Sequence, residues 1–142
     1  MRVERVTLTH ARAPLVEPFR ICSGAVAEKD GIAVKVEGEG LVGWGESSPM
    51  AGAFYGADTP ESCWRERTET LAPAVVGRDF ESHGAAVEYV NGLEGSNFAK
   101  VGLETALWDW ESKRRGVPVW RMLGGERARV ESGLAVGLYE EV

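Results

Sequence analysis

Two histidines, two cysteines and scattered acids and lysines are the groups in this 142-residue sequence that could do chemistry. His10 falls on the apolar side of a predicted strand and His83 near a predicted helix start. Neither has a Ser or Cys partner at a motif spacing, so both read as core or surface histidines rather than general bases. Glu104 and Asp109 are unusual in an apolar helical segment and suggest metal ligands. Five helical residues turn them about 140° apart, however, so one helix cannot aim both at one ion. Asp109 precedes Lys113 by one helical turn, which favours an ion pair. Cys22 and Cys63 match no metal or redox spacing, and in so Cys-poor a chain a reducing cytosol is expected rather than a disulfide. Phosphate loop, zinc spacing and nucleophile elbow are all missing. These residues assemble no reaction centre.

Two glycine-bearing segments hold the remaining interest. Pro14-Leu15-Val16-Glu17-Pro18-Phe19-Arg20 presents a Phe and an Arg from an extended stretch. Gly43-Trp44-Gly45-Glu46 runs on through Met50-Ala51-Gly52 to Phe54-Tyr55. Loops that carry Met, Phe and Tyr toward water usually cover something apolar. The same residues could instead fold back on their own sheet. On physics alone the two readings stand level.

The elements that must position these segments follow from periodicity. Val6, Leu8 and His10 alternate with polar residues, a half-buried strand that Ala13-Pro14-Leu15 breaks, with a loop to about Glu28. Ile32, Val34 and Val36 alternate next. Gly38-Glu39-Gly40 makes a tight hairpin, and Leu41 to Glu46 returns, completing a three-stranded antiparallel meander. Asp58-Thr59-Pro60-Glu61 starts a helix that Pro73 kinks or ends and Gly77 closes. A weaker helix spans about Glu81 to Val90. Asn97 is placed as the cap of the strongest helix, Phe98 to Arg115, which Gly116 ends. Its first three turns are apolar almost all round, so it is expected at the buried centre. Pro118 opens one short turn ended by Gly124-Gly125, and Val130 to Val136 alternate as a further strand. The fold class is α+β, a meander followed by a helical bundle.

The formal charge of −6 disfavours nucleic acid, and the densest cations, Lys113-Arg114-Arg115, sit where they complement a helix dipole. With no signal-peptide core and no apolar stretch near the ~20 residues that span a bilayer, the chain reads as cytoplasmic, with no membrane partner.

The order of strand, Pro-Phe segment, hairpin, Gly-Trp-Gly-Glu, helices, then Ala99-Lys100-Val101-Gly102-Leu103-Glu104-Thr105-Ala106-Leu107-Trp108-Asp109 and Gly116-Val117-Pro118-Val119-Trp120 through Leu123-Gly124-Gly125 resembles the capping domain of the muconate-lactonizing branch of the enolase superfamily. The resemblance covers essentially the whole chain. Pro14 to Arg20 and Met50-Ala51-Gly52 with Tyr55 most resemble the o-succinylbenzoate synthases and N-acylamino acid racemases. It implies a cap over the mouth of a modified (β/α) barrel, with residues 1–125 as the cap and 126–142 as the start of the barrel. Phe19, Met50 and Tyr55 would wall in a small carboxylate substrate, Arg20 could meet a carboxylate, and Ala135 would face substrate from the first barrel strand. The family chemistry is proton abstraction beside a carboxylate by a lysine working with Mg²⁺. Its paired lysines and metal ligands belong to the barrel, and Lys29, Lys35, Lys100 and Lys113 form no such pair. The resemblance further implies a homo-oligomer in the full enzyme.

Overall fold

The computed structural model describes residues 1–21, 24–50 and 56–134. Three antiparallel strands, β1 (Arg5–Ile21), β2 (Gly24–Gly38) and β3 (Leu41–Ser47), lie in the order β1-β2-β3. This is the expected meander. Glu39 and Gly40 both take positive φ (52° and 73°), the geometry that joins two strands without splaying them. Along β2, Ile32, Val34 and Val36 are fully buried while Ala33, Lys35 and Glu37 are only partly so. Period two on a half-covered sheet produces that pattern.

The loop expected between Ala13 and Glu28 is instead a long two-stranded ribbon. Pairing runs from Arg5 with Glu37 to Pro14 with Glu28, then resumes at Phe19 with Val26. Pro14 does not end the strand because β1 is an edge strand, where a missing N–H need not cost a ladder bond. The register shifts between Pro14 and Phe19, where residues 15–18 of β1 stand opposite Ala27 alone.

The helices pack on the face carrying Ile32, Val34 and Val36. Thr59 caps α1 (Pro60–Glu66) through a reciprocal pair with Ser62, and Pro60 occupies the first turn. The chain passes through a π-helical turn, Arg67–Leu71, into α2 (Ala72–Val75). Pro73 therefore does not end the run, which continues to Val75, although the regular α-helix is interrupted by the π-helical turn just before it. It sits in the first turn of α2, where its missing N–H is tolerated. Helix α3 (His83–Gly92) is capped by Ser82 and buries Ala86 and Val90.

Helix α4 (Asn97–Arg115) ends at Gly116, whose φ is 65°. Its cap is Ser96 rather than Asn97, because the Ser96 hydroxyl accepts from the Ala99 amide. Nor is the helix buried all round. Ala99, Leu103, Ala106, Leu107 and Trp110 are covered, whereas Phe98 and Val101 are exposed. The sheet and the neighbouring helices cover one side of α4 and leave Phe98 and Val101 toward water.

Helix α4 lies close against β3, and Gly43 and Gly45 make that approach possible. A Cβ on Gly43 would stand 2.7 Å from the Trp110 Cβ, 2.8 Å from its amide nitrogen, and nearer still to the Ala106 carbonyl oxygen. A Cβ on Gly45 would stand 2.6 Å from the Ala106 nitrogen. The Asp109 carboxylate accepts from the Trp44 amide at 2.7 Å, and Lys113 donates to the Val42 carbonyl at 2.9 Å. The Asp109–Lys113 ion pair is present as expected, at 2.6 Å. Side chains of α4 thus answer backbone groups of the edge strand that another chain could otherwise pair with.

Helix α5 (Val119–Met122) follows Pro118, and Gly124 turns the chain at φ 79°. Of the strand expected over Val130 to Val136, the described part, 130–134, is neither strand nor buried. A strand requires a partner ladder, and no described strand lies beside it. The rest of that segment lies outside the described residues. Among the described residues no helix is long and apolar enough to cross a membrane.

Candidate substrate-facing site

The ribbon of β1 and β2 and the segment leaving β3 meet around a cavity of about 260 Å³. Its walls are Leu15, Phe19, Val26, Pro49 and Met50, with Glu28, Lys29 and Asp30 beside them. Phe19 stays 46% exposed and Met50 is half-buried. Two of the three residues assigned as walls, Phe19 and Met50, therefore do come together, and they do not fold away into the main core. Arg20 pairs with Ala25 across the ribbon and is exposed, and it is not among the cavity's walls. Tyr55 and Ala135 lie outside the described residues.

Sequence reasoning missed Val26 and Asp30. Val26 was read as loop, and only the ribbon pairing brings it opposite Phe19. Asp30 had a readable signal, for it continues the buried stripe of Ile32, Val34 and Val36 and is only 5% exposed. An acid on the core side of a strand must find partners. It finds two. His10 Nε2 contacts one carboxylate oxygen, and Arg12 Nε donates to the other at 3.1 Å. The His10 ring also stands 6.0 Å from that of Trp64 on α1, so its role is structural, as expected.

The other candidate groups stay apart from this cavity. His83 is buried edge-on against Trp108, ring centroids 4.3 Å apart, and burial lowers its pKa. Cys63 is a free, buried thiol, and burial raises its pKa. Glu111 accepts from Arg114 at 2.6 Å and from Arg115 at 2.5 Å. The Arg114 hydrogen bond is the main force that holds its pKa down at about 2. Arg67 is fully buried and donates to the carbonyls of Ala99 and Phe98 at 2.8 and 2.6 Å.

Mg²⁺ was expected with the barrel, and the residues described here do not fit it. No group of three or more His, Cys, Asp or Glu side chains converges among them. No step of the chemistry is placed on a metal held by this domain.

Among curated proteins, the o-succinylbenzoate synthase of Bacillus subtilis is 32% identical over 97% of this chain. The N-succinylamino acid racemase of Thermus thermophilus is 32% identical over all of it. In each case the chain spans 38% of the relative's length. Among solved structures, an enolase-superfamily member from Listeria innocua superposes with a TM-score of 0.89 at 26% identity, over 99% of this chain and 38% of that one. Residues 3–124 match the family described as mandelate racemase / muconate lactonizing enzyme, N-terminal domain. The arrangement of sheet and helices is thus a known architecture, and the chain belongs to the mandelate racemase / muconate lactonizing enzyme family as its N-terminal domain.

Proposed function

We propose that this domain caps the catalytic barrel of an enzyme that removes a proton beside a carboxylate, and that the parent reaction is the dehydration carried out by o-succinylbenzoate synthases. The cavity between Phe19 and Met50 carries the reading. Its walls are almost wholly apolar, and three of them, Leu15, Phe19 and Val26, stand on a ribbon that projects beyond the main core. Such a surface excludes water and holds the non-reacting end of a substrate, while the reacting end meets lysine and Mg²⁺ on the barrel. The Mg²⁺ there would stabilise the charge that develops on the substrate carboxylate as the proton leaves. Residues 1–125 form the cap in this reading and residues 126–142 lead into the barrel. Arg20, near the ribbon tip, faces a substrate carboxylate; Tyr55 adds a further apolar wall, and Ala135 lines the substrate from the first barrel strand.

Support for the synthase comes from the Bacillus subtilis relative, which aligns over nearly the whole chain. An N-acylamino acid racemase is the second reading, favoured by the equal identity of the Thermus thermophilus racemase. A muconate-type cycloisomerase or dipeptide epimerase would use the same cap with another end group. The cytoplasm and a homo-oligomeric full enzyme complete the proposal.

Kinetics of the enzyme with its barrel test it. Phe19→Ala and Met50→Ala should change the preference between a succinyl-bearing substrate and a shorter one. Losing one apolar wall costs about 1–3 kcal/mol of discrimination. Unchanged kcat/KM ratios in both variants would make these side chains filler.

A further inference from the structure

The ribbon that carries Phe19 needs an anchor. From Ala11 through Arg20 every residue of β1 is exposed, and so are Ala25, Ala27, Glu28 and Lys29 on β2. β3 pairs β2 only from Gly38 to Ile32, so beyond that point the ribbon has two strands and no third. An isolated two-stranded ribbon is marginally stable in water. Something at its base must fix how it leaves the sheet.

Asp30 sits at that base. It is the last buried residue of β2 before the ribbon departs, and it pairs in register with Arg12. One carboxylate oxygen is held by His10 and the other by Arg12, both on β1. The His10 ring is packed near Trp64, which ties the clamp to α1. Asp30 also borders the cavity of Phe19 and Met50. Each carboxylate oxygen thus carries a bond from the opposite strand, and a charged, buried acceptor strengthens both.

We propose that Asp30, clamped by His10 and Arg12, is a positioning residue that sets the angle of the ribbon and so the distance from Phe19 to Met50. The inference rests on the proposed substrate-facing role of that cavity. Asp30 touches no reacting atom, and its effect is exerted through Phe19.

Hydrogen exchange on the 142-residue chain reads the clamp directly. In Asp30→Ala, amides of residues 11–21 and 24–29 should exchange at least tenfold faster, with α4 amides between Leu103 and Trp110 unchanged. His10 and Arg12 are both partly exposed, so water can solvate them once the carboxylate is gone. Should Asp30→Ala fold poorly, Arg12→Gln removes one arm from the exposed side and should speed the same amides about threefold. Unchanged ribbon exchange in the folded variants overturns the inference, as does acceleration that α4 shares equally. In the enzyme with its barrel, Asp30→Ala should raise KM about tenfold with kcat within twofold. Loss of folded enzyme would lower kcat and leave KM alone. If Phe19→Ala raises KM while Asp30→Ala does not, the positioning role is wrong. If Asp30→Ala frees the ribbon but neither variant moves KM, the clamp stands and the substrate-facing reading falls.

Discussion

Gly43→Ala offers the sharpest test of how this domain holds together. The added methyl would meet the Trp110 Cβ at 2.7 Å and its backbone nitrogen at 2.8 Å, with the Ala106 carbonyl oxygen closer still. None of these atoms is the far end of a flexible side chain. Helix α4 or strand β3 must give way by roughly 1 Å to restore van der Waals contact. Among the described residues three side-chain hydrogen bonds join β3 to α4: the Trp44 amide to Asp109 at 2.7 Å, Lys113 to the Val42 carbonyl at 2.9 Å and the Ser47 hydroxyl to the Phe98 carbonyl; the Trp110 indole also donates to Gly38 of β2, at 3.0 Å. Overpacking costs about 1–3 kcal/mol, and each stretched hydrogen bond about 1 more. A loss on the order of 3–5 kcal/mol follows, a large share of the ~5–15 kcal/mol that holds a typical domain together. Urea unfolding followed by tryptophan fluorescence would show it as a midpoint lower by about 1.5 M or more, taking m near 2 kcal/mol/M. Gly84→Ala is the control. Its new methyl meets nothing nearer than 3.8 Å, and in helix α3 it should be neutral or stabilise by up to ~1 kcal/mol. A Gly43→Ala midpoint within 0.3 M (about the error of the fit) of the parent would refute the argument from close approach.

Other outcomes follow from the same structure. Glu111 has its pKa lowered from 4.5 to about 2, so its pairing stabilises the fold above pH 4.5 and is lost as pH falls toward 2. Glu111→Gln should flatten the difference in urea midpoint between pH 4.5 and 2, and an unchanged slope would count against the Arg114 and Arg115 pairing. Arg67→Met should leave stability within about 1 kcal/mol of the parent or raise it, because a buried guanidinium that forms no salt bridge among the described residues carries its own desolvation cost, which lowers its pKa. The Phe98 carbonyl would still accept from the Ser47 hydroxyl. A fall of several kcal/mol in the same unfolding assay would mean that the Arg67 bonds to α4 dominate. The purified 142-residue chain should show no Mg²⁺-dependent proton exchange at a substrate α-carbon, and exchange detected by deuterium incorporation would overturn the assignment of chemistry to the barrel.

Local rules were enough for much of the fold. The hairpin at Gly38-Glu39-Gly40, the Thr59-Pro60 helix start and the Gly116 stop each depend on a few adjacent residues, and each forms as read. Alternation along Ile32, Val34 and Val36 named the buried face, because a strand's period is a property of its backbone. The ribbon was not legible, since Pro14 signals a break locally and only the edge position of β1 makes it harmless. The same holds for Asp30, whose buried place was visible in the pattern but whose partners, His10 and Arg12, lie 20 and 18 residues away. Gly43 and Gly45 fall inside the returning strand Leu41 to Glu46, where nothing local calls for glycine, and their reason is a helix that arrives some sixty residues later. Sequence by itself determined the buried strand Ile32 to Val36, its hairpin partner and the helices, and which residue types could wall a pocket. Tertiary structure alone decided that Phe19 and Met50 meet, because their proximity depends on strand register and on the clamp at the ribbon's base, neither of which is encoded by neighbours in the chain.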